Sequence, residues 1–397
     1  MTQIYFDYNA GAPLRAAVRE ILGGFASAQA LNPSSVHGPG QRARRLLERA
    51  REQVATLIGA KPSQIVFTSG GTEANNLAIF GTANSKASRH AIVSSTIEHS
   101  SVLAPLRALE RSGYQIFRLE PDREGLIDTD QLLNAIGDRV MLVSLGLANS
   151  EIGTVQALES IAEKARAVGA SFHIDAAQAA GRIAINVKTL GCDLMTVSAH
   201  KLGAPGGTGA LFVRDPELLA AQIKGGVQEK GLRGGTPNLL GAICFGAAAE
   251  AAQANLEAEA ARLRELVSRL YDSLAARIPG LERNGSVDKS LPNTLNLTFP
   301  HTLGEMMLIG LDLEGVSVSM GSACAAGAVE PSHVLLGIGR SEAQARSSIR
   351  ISLGWATTEA EIERGVEIIE RVWRRVIQVP GSHTKPADRA SEIGARQ

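Results

Sequence analysis

Cysteine is scarce in this chain, with three in 397 residues, at positions 192, 244 and 324. An odd, widely separated set forms no disulfide framework. With no C-x-x-C pair, a structural zinc or preassembled cluster site is not expected either. The usage fits a reducing, cytosolic compartment, so a cytoplasmic location is expected. A charge excess of either sign is also missing. Forty Lys and Arg balance forty Asp and Glu, so no global field recruits nucleic acid or an anionic membrane. No apolar run approaches the ~20 residues that span a bilayer. Met141-Leu-Val-Ser-Leu-Gly-Leu-Ala148 is among the longest. The opening MTQIYFDYNAGAP has no basic region followed by an apolar one, so no export signal is expected. Internal repeats and low-complexity segments are absent too.

What is present is an ordinary globular composition, 44% hydrophobic and 20% charged, in a chain long enough for two domains at ~150 residues each. Between about residues 60 and 215, short apolar runs alternate with amphipathic stretches. Strands are expected at Gln64–Thr68, His90–Ser94, Tyr114–Arg118, Val140–Ser144, Ser171–Asp175, Asp193–Val197 and Gly209–Val213. Helices fall between them, as at Thr72–Gly81 and Leu158–Val168. That order predicts an α/β fold with a mainly parallel sheet covered on both faces. Ligands of such sheets bind beyond the carboxyl ends of the strands. After residue 238 the pattern changes to long helices, Leu239 to about Ile278, then short strands at Leu295–Phe299, Val316–Val318 and Ser348–Ser352, and a closing helix Thr358–Ile377. The expected division is a large domain at 15–255 and a smaller α+β domain at 256–379 joined by the N-terminal segment 1–14. A polar, flexible tail is expected at 380–397.

Three stretches carry chemistry. Phe67-Thr-Ser-Gly-Gly-Thr-Glu-Ala-Asn75 runs from a strand through a Gly-Gly turn into a helix, where free amides and the positive helix end seat an anion. Taken alone it is also an ordinary glycine turn, and the missing Gly-Lys-Ser/Thr excludes a P-loop. Ser171-Phe-His-Ile-Asp-Ala-Ala-Gln178 ends a buried strand on Asp175, a carboxylate that needs a cation, a protonated ring or a structural ion pair. Val197-Ser-Ala-His-Lys-Leu-Gly-Ala-Pro-Gly-Gly-Thr-Gly209 puts Lys201 where the ligand crevice should lie. Most lysines are solvated surface groups, but one screened from water becomes a carbonyl nucleophile. An anion seat, a strand-end Asp and this Lys together meet the needs of pyridoxal phosphate: amides for the phosphate, a carboxylate for the ring nitrogen, and an amine for the aldehyde.

From Tyr5-Phe-Asp-Tyr-Asn-Ala10 to about Glu363 the chain resembles fold-type I pyridoxal-phosphate enzymes of the class V aminotransferase group, and most closely the cysteine desulfurases. The resemblance rests on an ordered series. It comprises Asn32-Pro-Ser-Ser, Thr68-Ser-Gly-Gly-Thr-Glu-Ala-Asn-Asn76, Glu98-His-Ser-Ser-Val102, Asn149-Ser-Glu-Ile-Gly153, His173-Ile-Asp-Ala-Ala-Gln178, Ser198-Ala-His-Lys201, Arg233-Gly-Gly-Thr-Pro-Asn238, Gly321-Ser-Ala-Cys324 and Arg350-Ile-Ser-Leu-Gly354. It implies a large domain with a mainly parallel seven-stranded sheet and a smaller α+β domain. It also implies that Lys201 holds the cofactor as a Schiff base, Asp175 pairs with the ring nitrogen, and Gln178 and Asn149 bond the phenolic oxygen. His99 stacks on the ring and transfers protons. Gly71, Thr72, Ser198 and His200 cradle the phosphate, and Thr236 completes that cradle across a homodimer. Arg350 takes the substrate α-carboxylate, and Asn32 assists.

Cys324 lies in Ser319-Met-Gly-Ser-Ala-Cys-Ala-Ala-Gly327. By itself it reads equally as a small buried hydrophobe or a nucleophile. The resemblance implies that its thiolate takes sulfur from L-cysteine as a persulfide, releases L-alanine, and passes sulfur to an acceptor such as an iron–sulfur scaffold, with a transient cluster-ligand role in reach. The long stretch from Cys324 to Gly339 suits a long, mobile loop. Cys192 and Cys244 read as core residues. The sequence departs from the family at Asn9-Ala-Gly-Ala-Pro13, where two threonines are usual after the alanine, at Met320 and Trp355, and in a tail without an apolar ending. These leave the acceptor open. Rival readings are a selenocysteine lyase, another class V aminotransferase or lyase, a hydrolase using Cys324 and His99, and a non-catalytic sulfur carrier. The hydrolase leaves Lys201 and Asp175 without a task.

Overall fold

The computed structural model describes residues 3–25, 32–86, 88–321 and 330–378, so Cys324 and the tail expected at 380–397 lie outside the described residues. Its strands are β1 (Ile4–Tyr5), β2 (Ile65–Thr68), β3 (Ala91–Ser95), β4 (Gln115–Leu119), β5 (Val140–Gly146), β6 (Ser171–Asp175), β7 (Leu194–Ser198), β8 (Gly209–Val213), β9 (Glu282–Asn284), β10 (Thr294–Thr298), β11 (Val316–Ser317) and β12 (Ser348–Ser352). The helices that bear on the site are α1 (Gly38–Leu57), α2 (Gly71–Ser85), α3 (Ser100–Arg111), α4 (Leu239–Ala254), α5 (Leu256–Arg277), α6 (His333–Gly337) and α7 (Glu359–Val376).

The seven strands expected between residues 64 and 213 form one sheet, in the order β2-β8-β7-β6-β5-β3-β4. Several begin or end a residue later than the apolar pattern suggests, as with Ala91–Ser95 in place of His90–Ser94. The central run Val140-Met-Leu-Val-Ser-Leu145 is buried throughout, as a parallel strand covered on both faces requires. One strand, β8, runs antiparallel to both its neighbours. The physical reason is its connection: residues 199–208 are too few for the crossover a parallel pair needs. That short connection is the segment that carries Lys201.

Helices bury the sheet from two sides. Ala43, Leu47 and Val54 of α1 and Phe245, Ala248 and Ala249 of α4 join Phe67, Val143, Phe172 and Phe212 in one cluster. Ala74, Leu77 and Ala78 of α2 pack on Val66, Leu194 and Leu211, and α2 and α3 together cover Ile92, Met141 and Leu142. A separate cluster gathers Leu263, Leu266, Val267, Leu270 and Leu274 of α5 with β10, β12 and α7. The i, i+3, i+4, i+7 spacing in α5 is what turns one face inward. Ile4 and Phe6 belong to this second cluster, and β1 pairs in parallel with β11. The N-terminal segment is thus built into the later part of the chain. Thr358 and Glu361 close the start of α7 in a reciprocal capping box.

Within the stretch expected as loop, Ser332 caps the short helix α6, its Oγ accepting from Leu335 N–H at 3.2 Å. Among the described residues no single helix is long and apolar enough to cross a membrane.

Candidate active site

A cavity of about 470 Å³ opens where β2, β3, β5, β6 and β7 end. It collects Gly71, Thr72, His99, Asn149, Asp175, Gln178, Ser198, His200, Lys201 and Arg350. Two expected members lie elsewhere. Asn32 is exposed and uses its side-chain oxygen in a local turn, accepting from Ser34 N–H at 2.9 Å. Thr236 is also exposed, on a segment that Arg233 ties to Glu73 of α2 at 3.0 Å.

The anion seat is built as the glycines suggest. Gly70 precedes α2 at φ +154, a conformation open to glycine, and no side chain caps the helix. Its first N–H groups therefore need an outside acceptor. A Cβ on Gly71 would lie 3.5 Å from Ser198 Cβ, so the turn and the Ser198 hydroxyl share one wall. Ser198 Oγ in turn meets His200 Nδ1 at 2.9 Å. Burial pushes His200 down to about 4, and Lys201, Arg182 and His99 push the same way.

At the end of β6, Asp175 Oδ2 accepts from Asn75 Nδ2 at 2.7 Å, and Oδ1 from Ala177 N–H at 3.0 Å. Lys201 Nζ donates to the carbonyls of Asn9 and Ala10 at 2.5 and 2.9 Å. Gln178 gives its oxygen to Arg182 and one N–H to Asn9 O at 3.1 Å. Asn149 Oδ1 accepts from Glu151 and Ile152 N–H, and its Nδ2 donates to Ile97 O. Both amide oxygens are engaged. Asn149 can still offer the cavity one N–H, and Gln178 one N–H and one oxygen lone pair.

Arg350 is 2% exposed. Its Nη2 meets Asp7 Oδ1 at 2.8 Å, Nη1 donates to Ser150 O at 3.1 Å, and Nε is buried without a partner. An orphaned guanidinium N–H calls for an acceptor that the described residues do not supply.

Several cavity residues sat inside the quoted motifs without a role. Glu98 is fully enclosed, with its oxygens accepting from Ser95 Oγ at 2.6 Å and Gly146 N–H at 2.9 Å. Burial raises its carboxyl to about 7, and Asp175 adds to the rise against those two hydrogen bonds. Glu151 is also pushed up by burial, against Ser332, His333 and Arg350. It accepts from Ser332 Oγ, and a Cβ on Gly321 would stand 3.6 Å from its Oε2. Glu151 therefore sits between the residues either side of the segment that contains Cys324. His333 donates from or accepts at Nε2 against Glu98 O at 3.0 Å; the backbone oxygen makes it a donor. No motif marked His333.

The fold and this site coincide with a known family. The chain belongs to the class-V aminotransferases, whose family model matches residues 4–364. Within that family it is similar to the cysteine desulfurase IscS of Dictyoglomus turgidum, 42% identical over 372 residues, covering 93% of this chain and 94% of that one. Among solved structures it is similar to a NifS-like protein, with a TM-score of 0.88, 32% identity, and 94% and 100% of the two chains covered. A structure titled SspA in complex with cysteine matches with a TM-score of 0.78 and 36% identity, covering 89% and 99%. Proteins of this family use pyridoxal phosphate. The uncapped α2 N-terminus beside Ser198, the strand-end Asp175 and the enclosed Lys201 are a donor set that fits it.

Proposed function

We infer that this chain is a pyridoxal-phosphate-dependent cysteine desulfurase, converting L-cysteine to L-alanine and leaving the sulfur as a persulfide on Cys324. The observation that best supports the reading is the convergence of the uncapped α2 N-terminus, Asp175, Lys201 and Arg350 on one cavity. A non-catalytic sulfur carrier would need none of the four.

Bound pyridoxal phosphate supplies the electron sink for bond cleavage next to the amino group. In this assignment Gly71, Thr72, Ser198 and His200 hold the phosphate. Asp175 would pair with the ring nitrogen, Gln178 and Asn149 would hydrogen-bond the phenolic oxygen, and Lys201 would hold the aldehyde. Arg350 orients the substrate carboxylate, and Lys201 and His99 move protons at Cα and Cβ. The Cys324 thiolate attacks the substrate sulfur. The Cβ–S bond breaks, its electron pair stays with carbon and is protonated there, and a new S–S bond forms. Atoms balance as cysteine plus thiol giving alanine plus persulfide. A sulfur-acceptor protein such as an iron–sulfur scaffold then takes the sulfur, and Cys324 is available as a transient cluster ligand.

The same reading makes the enzyme a cytoplasmic homodimer in which Thr236 of each subunit completes the phosphate cradle of the other. It also divides the chain near residue 255 into a cofactor domain and a smaller domain joined by residues 1–14.

The test is direct. Protein purified with pyridoxal phosphate should be yellow and should form alanine from L-cysteine in the presence of a thiol. Lys201→Ala should lose the colour, and Cys324→Ala should keep the colour but lose turnover. A colourless wild type that cannot be reconstituted, or a Cys324→Ala variant at full rate, overturns the assignment.

A further inference from the structure

His99 is tied to Asp175 by a chain of hydrogen bonds whose directions are determined. Ser101 N–H donates to His99 Nδ1 at 3.1 Å, which makes His99 the cap of α3. Asn75, 1% exposed, donates from Nδ2 to Asp175 Oδ2 at 2.7 Å and to Ser101 Oγ at 2.8 Å. A carboxylate accepts, so Asn75 must turn its NH2 and not its oxygen to this side. That leaves Asn75 Oδ1 buried without a partner, a cost borne to keep the donor in place. The Ser101 hydroxyl, already accepting from Asn75, gives its own hydrogen to His99 Nδ1 at 2.7 Å. Nδ1 thus receives two donors and carries no proton. The proton of the neutral ring is on Nε2, and the ring lines the cavity.

We propose that Asn75 and Ser101 are positioning residues that lock His99 in the Nε2–H tautomer, so that Nε2 is the one nitrogen through which the ring exchanges a proton with a molecule in the cavity. Its catalytic meaning rests on the desulfurase reading; the tautomer itself does not. The charged and titratable groups around the ring agree with a neutral imidazole. Burial holds His99 below the usual histidine range, Asp175 opposes this, and Lys201 and His333 reinforce it. Glu98, the preceding residue, faces Ser95 and Gly146.

The measurement is nitrogen-15 NMR on holoenzyme labelled at histidine, with the His99 signals identified by their loss in His99→Gln. We expect an unprotonated Nδ1 and a protonated Nε2 at neutral pH. Ser101→Ala should shift the tautomer ratio roughly fivefold toward Nδ1–H, the effect of one ordinary hydrogen bond. It should also move the acidic limb of the kcat/KM profile to higher pH. Ser101→Thr, which keeps the hydroxyl, should restore both. A wild-type ring protonated at Nδ1 overturns the proposal without any variant, as does an unchanged ratio in Ser101→Ala. Holoenzyme with the expected tautomer that forms no alanine from L-cysteine supports the lock while refuting the desulfurase assignment.

Discussion

Asp7 and Arg350, separated by 343 residues of sequence, meet at 2.8 Å, Oδ1 to Nη2. Asp7 Oδ2 also accepts from Ser319 Oγ at 3.0 Å. The N-terminal segment thereby orients the guanidinium assigned to the substrate carboxylate. Removing the carboxylate leaves a buried cation without its partner, a change that costs about 3–5 kcal/mol when the site is sealed. Asp7→Ala should approach the lower end of that range, because Asp7 is 15% exposed. The KM for L-cysteine should rise more than kcat falls. Denaturant unfolding and steady-state kinetics check both, and a loss below about 1 kcal/mol would show the pair to be no stronger than a surface contact.

A second buried pair braces β2, the strand that leads into the Gly70 turn. Arg51 grips Glu229 through its two terminal nitrogens at 2.7 and 2.9 Å, and Glu229 also accepts from Phe67 N–H at 2.8 Å. Glu229 pays for this with a left-handed backbone at φ +44. Arg51→Met should destabilise the fold by about 3–5 kcal/mol, since it strands a buried carboxylate. The double variant Arg51→Met with Glu229→Gln should recover part of that loss in the same unfolding assay.

The anion seat is sensitive to one methyl group. A Cβ on Gly209 would stand 2.6 Å from Gly70 C and 2.8 Å from its Cα. Backbone cannot swing aside as a side chain can, so Gly209→Ala must displace the Gly70 turn. Overpacking of this kind costs about 1–3 kcal/mol. If it falls on the phosphate seat, affinity for pyridoxal phosphate should drop roughly fivefold to a hundredfold. Cofactor titration by fluorescence, beside a melting curve, separates lost affinity from lost stability.

Acid stability should depend on His173. It is fully buried between Ser144 Oγ at 2.9 Å and Thr196 Oγ1 at 3.1 Å. Burial pushes it down to about 4, against the pull of Asp175. The folded value lies below the unfolded one, near 6.5. Its contribution is therefore complete above about pH 6.5 and is lost as pH falls toward 4, by roughly 3 kcal/mol across that window. Stability measured from pH 7 to 4 should fall less steeply in His173→Gln than in the wild type.

Much of this architecture was legible in one dimension. The buried apolar runs of β5 and β6 and the glycine turn before α2 depend on short-range patterning, and each formed close to its expected position. Asp175 and Lys201 could be picked out because a strand end followed by an unusual connection is a local signal. Asn75, Ser101 and Glu98 could not be assigned roles from the same stretches. An amide, a hydroxyl and a carboxylate in a motif say nothing about which of their hydrogen bonds face one another. Their roles come from α2, α3 and β6 converging at one end of the sheet.

The sequence alone determined the seven strands of the main sheet and the long helices α4, α5 and α7, because burial periodicity is a property of neighbouring residues. It also determined which chemical groups stand at the strand ends. Tertiary structure decided how they are wired. It turned β8 antiparallel through a connection too short to cross over, brought Asp7 to Arg350, and directed the Ser101 hydroxyl onto His99 Nδ1. Hydrogen-bond direction and ion pairing depend on distances of a few ångströms between residues far apart in the chain, and only the folded packing sets those distances.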